Sequence, residues 1–466
     1  MLGTRRPLGL AAGLLLSGLF AAPASATSLE EALALAYSGN PDLAAQRAQL
    51  RATDEQVAQA LSGWRPTITL SGQAGHRWTD VKGPSSGILG PPVGDFENDP
   101  LLGQARITQP IYRGGRTIAG TEAAKLNVQA GRAALAATEQ QVLIDAATAY
   151  VNVLRDQAVV DLRQNNVTVL EEQKRATDAR FEVGELTRTD VSQADARLSR
   201  ARSALIAAQA ALMQSRATYL RVIGVQAENL EQASPLSGLP ESEDAAVSTA
   251  GERNPNVIAA DYQEQSARRN VRAIEGEMLP EVNIVGIAQY QEEQSISSND
   301  SESGEIRAEV TWPLYRGGAT HSRIREALQT ASQRRLQFVS AKRQATELAI
   351  QAWEQLQAAR VQIGALEAQV EANKVALEGV QQEAEVGSRT VLDVLDAEQE
   401  LLDAQVNLVT AQRDLVLASF QLRQAVGSLR AQDLDLDVDY YDEEKYYDEN
   451  SGRWFGWGDY SDPEDR

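Results

Sequence analysis

Residues 387–427 read GSRTVLDVLDAEQELLDAQVNLVTAQRDLVLASFQLRQAVG, and their spacing decides the architecture. Val394, Ala397, Leu401, Ala404, Leu408, Ala411, Leu415, Ala418, Leu422 and Ala425 follow one another in steps of three and four, the seam of a left-handed coiled coil. Large and small residues alternate along it, so two backbones can approach closely while leucine fills the space between. The same seam stands 203 residues earlier as Val191, Ala194, Leu198, Ala201, Leu205, Ala208, Leu212, Ser215, Tyr219 and Val222. Gly184, Asp190 and Gly224 then fall on Gly387, Asp393 and Gly427, so the chain is an internal duplication.

Upstream of each seam the duplication holds in full. Ser28 and Glu31 form a capping-box pair that predicts a helix to about residue 62, and a shorter helix near Ser242 opens the second half. Asn40-Pro41 matches Asn254-Pro255, and both helices lead into an X-Pro, at Pro66 and Pro280. Beyond each proline the period changes to two. Ile68, Leu70, Gly72, Ala74 and Trp78 oppose Thr67, Thr69, Ser71, Gln73 and Arg77, which predicts a strand with one apolar face. A Gly/Pro-rich loop leads to a second strand with Leu101, Ala105, Ile107 and Ile111 opposite Gln104, Arg106 and Thr108. The second half repeats the pair, with Val282, Ile284, Ala288 and Tyr290, then Ile306, Ala308 and Val310 opposite Glu305, Arg307 and Glu309.

Each returning strand ends in one phrase, TQPIYRGG at 108–115 and TWPLYRGG at 311–318. Tyr112 and Tyr315 beside Arg113 and Arg316 suit a membrane-water boundary, where an amphipathic ring sits among headgroups. The glycine pairs lack the spaced Lys-Ser/Thr of a phosphate loop and read instead as strand-to-helix corners. Two helices of about 65 residues follow, at 116–180 and 319–383, each reaching about 100 Å. Each turns at Val183-Gly184 or Val386-Gly387 into a seam helix half as long, and the helix before the strands supplies the missing half.

The 466 residues carry 44 basic and 65 acidic side chains, a net charge of −21, which excludes nucleic acid as a natural partner. Residues 1–26, with Arg5, Arg6, an apolar run and Ala24-Ser-Ala26, read as a cleaved secretory signal. The absence of cysteine removes disulfides, thiol chemistry and a lipid-attachment site. The two histidines, His76 and His321, have no ligand set around them, so neither metal nor cofactor is expected. From 431 to 466 there are 13 acidic and 3 basic residues with eight aromatics and no period, which predicts a disordered, dispensable tail.

Four strands with one apolar and one polar face cannot stand alone in a bilayer, because two edges would remain unpaired. They must close by combining copies, in the manner of an outer-membrane barrel. The expected fold class is therefore mainly α with transmembrane β. Its parts are a signal (1–26), a first repeat (27–224), a linker (225–241), a second repeat (242–427) and the tail (428–466).

At this point the chain resembles the TolC family of outer-membrane efflux and secretion ducts, most specifically at VGSRTVLDVLD (386–396) and RFEVG (180–184). The resemblance implies a homotrimer with a 12-stranded barrel in outer-membrane lipid above a periplasmic tunnel of helices. It implies a periplasmic membrane-fusion adaptor docking at Val183, Gly184, Val386 and Gly387, and an inner-membrane transporter of RND or ABC type. Asp393 and Asp396 match the carboxylates of the pore constriction. Arg389, with Asp190 and Thr189, matches the links that hold the gate. Ala384 departs from the family's closing tyrosine, and Glu185 from a common leucine. Two competing functions remain at this stage: an acid-base enzyme using a carboxylate pair, and a soluble periplasmic coiled-coil tether, which leaves the strands without a purpose.

Overall fold

The computed structural model describes residues 27–83, 93–293 and 300–456, so the signal read into residues 1–26 lies outside them. The helix expected before the first strand is two helices, α1 (Leu29–Gly39) and α2 (Pro41–Leu61), broken at the Asn-Pro step. α3 (Arg116–Glu182) and α4 (Arg188–Ile223) complete the first repeat. In the second repeat, α5 (Glu243–Arg253), α6 (Pro255–Glu275), α7 (Ala319–Glu385) and α8 (Val391–Ala425) take the same places. α3 and α7 are 67 residues each.

The Asn-Pro steps explain how short helices match long ones. Asn40 caps α2 through Asp42 N at 2.9 Å, and its Nδ2 donates to the Val222 carbonyl at the end of α4 (3.3 Å). Asn254 caps α6 through Asn256 N at 3.0 Å and donates to the Ala425 carbonyl of α8, also at 3.0 Å. Each asparagine thus closes one helix start and one helix end, and holds α2 to α4 and α6 to α8. No seam residue of α4 or α8 is exposed, and α3 and α7 are the partners of the two seams.

The strands form an open antiparallel sheet in the order β1 (Thr67–Ala74), β4 (Leu101–Arg113), β5 (Glu281–Glu292), β6 (Ser301–Thr311). Its registers are symmetric: Thr67 faces Thr108, and their counterparts Glu281 and Thr311 face each other. Arg106 pairs with Glu309 (3.7 Å), and Arg307 with Glu305 (3.3 Å) and Glu309 (3.5 Å), on the polar face. The first strand is shorter than its alternation suggested. It stops at Ala74, and Trp78 belongs to a separate two-stranded ribbon, β2 (Arg77–Val81) with β3 (Gly94–Asn98). His76 sits in the break with Nδ1 2.8 Å from Asp99 Oδ1.

Each strand of the four-stranded sheet runs into or out of a helical segment, and the layer of helices α2, α3, α6 and α7 repeats the strand order β1, β4, β5 and β6. Among the described residues, this wall ends at both edges without a partner. The matched phrases register the difference: in the first repeat the strand runs through Arg113, with Tyr112 facing Val282 and Arg113 facing Glu281. In the second the strand stops at Thr311, because Trp312 to Arg316 have no neighbouring strand among the described residues.

The tail contradicts the expectation of disorder over residues 428–456. Leu429, Ala431 and Leu436 are buried with Leu33, Tyr37 and Tyr150 in the largest core cluster. The Ala431 amide donates to Glu139 Oε1 (2.7 Å), and the Tyr441 amide to Tyr37 Oη (3.1 Å). The Arg47 guanidinium stacks on the rings of Tyr37 and Tyr441 at 4.8 and 5.0 Å. Further on, Tyr446 Oη donates to Glu55 (3.0 Å), and Tyr447, in the short helix α9 (Lys445–Asn450), packs against Val57 and Val128. The segment is a strap that climbs α2 toward β1.

Candidate functional site at the hairpin tips

The two long hairpins end in turns built alike. Val183 and Val386 close α3 and α7, and Gly184 and Gly387 both take φ of +81°, a left-handed conformation that favours glycine. The Glu185 amide returns to the Arg180 carbonyl (2.9 Å), and the Ser388 amide to that of Glu383 (2.9 Å). Two residues later each chain re-enters a helix through a capping box. Asp190 Oδ2 accepts from Thr187 N (2.9 Å) and Oγ1 (2.7 Å), and Asp393 Oδ2 accepts from Thr390 N (2.9 Å) and Oγ1 (2.7 Å). These bonds hold both carboxyls below the ordinary aspartate range; the Thr187 hydroxyl leads at Asp190 and the Thr390 backbone at Asp393.

Of the residues expected at the gate, Asp190 and Asp393 therefore sit in equivalent positions at the helix starts, each on its own hairpin. Thr189 is exposed beside Asp190. Arg389 does not reach Asp190 within the chain: its Nε donates to Glu383 Oε2 (2.8 Å), across its own turn. Asp396 is paired with Arg197 of α4 at 2.5 Å, a bond between the two hairpins. Leu395 reinforces it from the next position, buried among Val167, Leu170, Leu198 and Ala201. Val183 and Val386 are both exposed at the tips.

Sequence reading missed Arg197, Glu383 and Glu398. Arg197 flanks the seam of the first repeat and Asp396 that of the second, so only the packing of one hairpin on the other joins them. Glu398 lies buried between α8 and α7, with Gln381 as its hydrogen-bond partner and Oε2 unpaired. Burial pushes its pKa up to about 7. The first repeat places Asp178, Asp195 and Lys174 at the equivalent site, with Lys174 Nζ 2.7 Å from Asp178 and 3.5 Å from Asp195. In the second repeat Leu377 replaces that lysine and leaves the acid without a cation.

At the other end of the wall Tyr112, Trp312 and Tyr315 are exposed at the strand-helix junctions. Arg113 faces Glu281 at 3.5 Å, and Arg316 faces Glu277 at 3.8 Å. Among the described residues no group of His, Cys, Asp and Glu side chains is arranged to hold a metal, and no helix is long and apolar enough to cross a membrane.

This arrangement is shared with known proteins. The chain is 35% identical to the outer membrane efflux protein BepC of Brucella suis over 449 residues, covering 96% of each chain. It is 28% identical to the outer membrane protein TolC of Vibrio cholerae, covering 89% of this chain and 93% of that one. The crystal structure of the CmeC outer membrane channel of Campylobacter jejuni has the same fold, with a TM-score of 0.77 at 16% identity, covering 91% of this chain and 89% of that one. The profile of the family described as outer membrane efflux protein matches residues 32–225 and 246–428, the two repeats without their linker. With an open membrane-type sheet at one end and paired hairpin tips at the other, the chain belongs to the outer membrane efflux protein family, and is an outer-membrane export channel.

Proposed function

We propose that three copies close into a 12-stranded barrel and a helical tunnel, through which cargo passes passively from an inner-membrane pump and its periplasmic adaptor. The observation that carries this reading is the wall with two unpaired edges. β1 and β6 present free backbone groups, and Leu70 and Ile306 on these edges are 85% and 83% exposed. The internal duplication says how the edges meet. The junction after β4 packs on the junction before β5 within the chain, so the junction after β6 packs on the junction before β1 of the next copy. The polar face then lines the lumen and the apolar face meets lipid.

At the far end the tips serve two roles. The exposed Val183-Gly184 and Val386-Gly387 turns form the docking grooves for an adaptor, one per hairpin. Asp393 and Asp396 ring the constriction, and Arg389, with Thr189 and Asp190 of a neighbouring hairpin, holds it shut. Because Asp396 is compensated by Arg197 within the chain, Asp393 carries most of the ring's field.

Planar-bilayer recording of the purified protein tests the reading. Conductance should favour cations and be blocked by multivalent cations from the tip side, and Asp393→Ala with Asp396→Ala should remove the block. Arg389→Ala should raise resting conductance without changing assembly. A protein that purifies as a stable monomer and gives no conductance contradicts the duct.

A further inference from the structure

The strap formed by residues 428–456 reaches the boundary between helices and sheet, and among the described residues nothing covers Trp454 and Phe455 there. Arg65, two residues before β1, holds it there: Nη1 donates to the Arg453 carbonyl (2.7 Å), and the guanidinium lies 5.1 Å from the ring centroid of Trp454. Beyond this clasp Trp454 is 59% and Phe455 88% exposed, whereas Leu429, Leu436, Tyr441 and Tyr447 before them are packed against the helices. Two adjacent large aromatic side chains held outward by a charged clasp are costly to leave in water.

Their level in the molecule says what covers them. Trp64, Tyr112, Trp312 and Tyr315, all exposed, lie at the same strand-helix boundary. Such a band of Trp and Tyr beside Arg is the side-chain chemistry of a lipid headgroup region. Asp442, Glu443, Glu444, Asp448 and Glu449 precede the clasp and Asp459 follows it in the sequence, while at the clasp itself Arg65 and Arg453 stand beside the aromatic pair. The strap shares its core with α1 and with the linker residues Leu230, Ala233 and Leu236, on one side of the wall.

We propose that Trp454 and Phe455 insert into the periplasmic-side lipid interface of the outer membrane, making the strap a lipid anchor that fastens the helical tunnel to the bilayer. The proposal rests on the reading of the sheet as a membrane barrel. It assigns the strap two working parts: Leu429 and Leu436, buried, lock it to the protein, and Trp454 with Phe455, exposed, grip lipid.

The absence of native cysteine allows a direct test on the full chain. Single variants Phe455→Cys, Tyr440→Cys and Leu70→Cys, each labelled with an environment-sensitive fluorophore, are reconstituted into phosphatidylethanolamine-phosphatidylglycerol vesicles. Quenching is then measured with nitroxide placed near the lipid headgroup, with nitroxide at mid-chain, and with aqueous iodide. The proposal expects the label at 455 to lose emission to the headgroup nitroxide above all, the label at 70 to lose it to the mid-chain nitroxide, and the label at 440 to respond to iodide alone. A label at 455 that follows 440 overturns the anchor, and so does one shielded from lipid and iodide alike, which would place the aromatics against a neighbouring copy. If the label at 70 escapes lipid quenching, the barrel reading fails and the anchor fails with it.

Discussion

Gly114 and Gly276 meet backbone to backbone where the first repeat's sheet joins its long helix and the second repeat's helix enters its strand. A Cβ on either would lie well under 3.0 Å from the other's carbonyl oxygen. Gly114 also has φ of +62°. Its neighbour Gly115 has φ of +77° but open space around it. Gly114→Ala should therefore cost roughly 3 kcal/mol or more, from left-handed strain plus a backbone clash, and Gly115→Ala only about 1 kcal/mol. Thermal unfolding of the two variants in detergent checks the difference; equal losses would mean that the contact does not hold in solution.

The counterpart of Gly114 is Gly317, which also has positive φ, +61°, yet a Cβ there would meet nothing within 4 Å among the described residues. In the proposed assembly the duplication would make Ser62 of the next copy its partner. Gly317→Leu should weaken subunit association more than it lowers protomer stability. Native electrophoresis against detergent concentration reads the association, and an unchanged trimer band would count against the proposed junction.

Removal of residues 431–466 should lower the melting temperature and expose Tyr37 and Arg47, because the strap fills the core beside α1. Leu436→Ala alone should cost about 2 to 3 kcal/mol, the usual loss for a buried leucine. Limited proteolysis and thermal unfolding check both. A truncated protein as stable as the whole chain would restore the view of a dispensable tail.

Glu398 sets a pH dependence whose sign follows from its burial. Its carboxyl keeps its proton up to about 7 in the folded hairpin, against 4.5 for the free side chain. Its stabilising, protonated form is thus fully present below about 4.5, and its contribution is lost as pH rises through 7. Asp190 and Asp393 act the other way: their pKa values are depressed, so the caps are intact above 3.8 and lose their contribution as pH falls further. The unfolding temperature should fall between pH 5 and pH 8, and Glu398→Gln should flatten that slope. An identical slope in the variant would assign it to other groups, such as Asp54, whose pKa burial raises to about 6.

Much of this was legible in the chain itself, for physical reasons. A seam of leucine and alanine at steps of three and four has one solution, and its recurrence gave both hairpins and their glycine turns. Strand alternation was readable where both faces differ, at Ile68 and Leu70 or at Glu305 and Arg307. It failed at Trp78, whose parity fits the strand while Gly75 and His76 interrupt the backbone. The strap was illegible because Leu434, Leu436 and Val438 alternate with aspartates in a segment with no helical period. Its burial comes from Tyr37 and Tyr150, hundreds of residues away. The Arg389–Glu383 pair was not legible because the two lie six residues apart and only the turn at Gly387 brings them close.

The central claim, that β6 of one copy pairs with β1 of the next, carries its own register. Within the chain Thr108 faces Val285 and Ile107 faces Gly286, and the duplication turns these into Thr311 facing Ser71, and Val310 facing Gly72, across the subunit boundary. One of two consecutive pairs is always the closer, non-hydrogen-bonded kind that suits a disulfide. Oxidation of Thr311→Cys with Ser71→Cys, and separately of Val310→Cys with Gly72→Cys, should yield covalent dimers and trimers on denaturing gels for at least one pair. Oxidised protein that runs only as monomer for both pairs would contradict closure by neighbouring copies in this register.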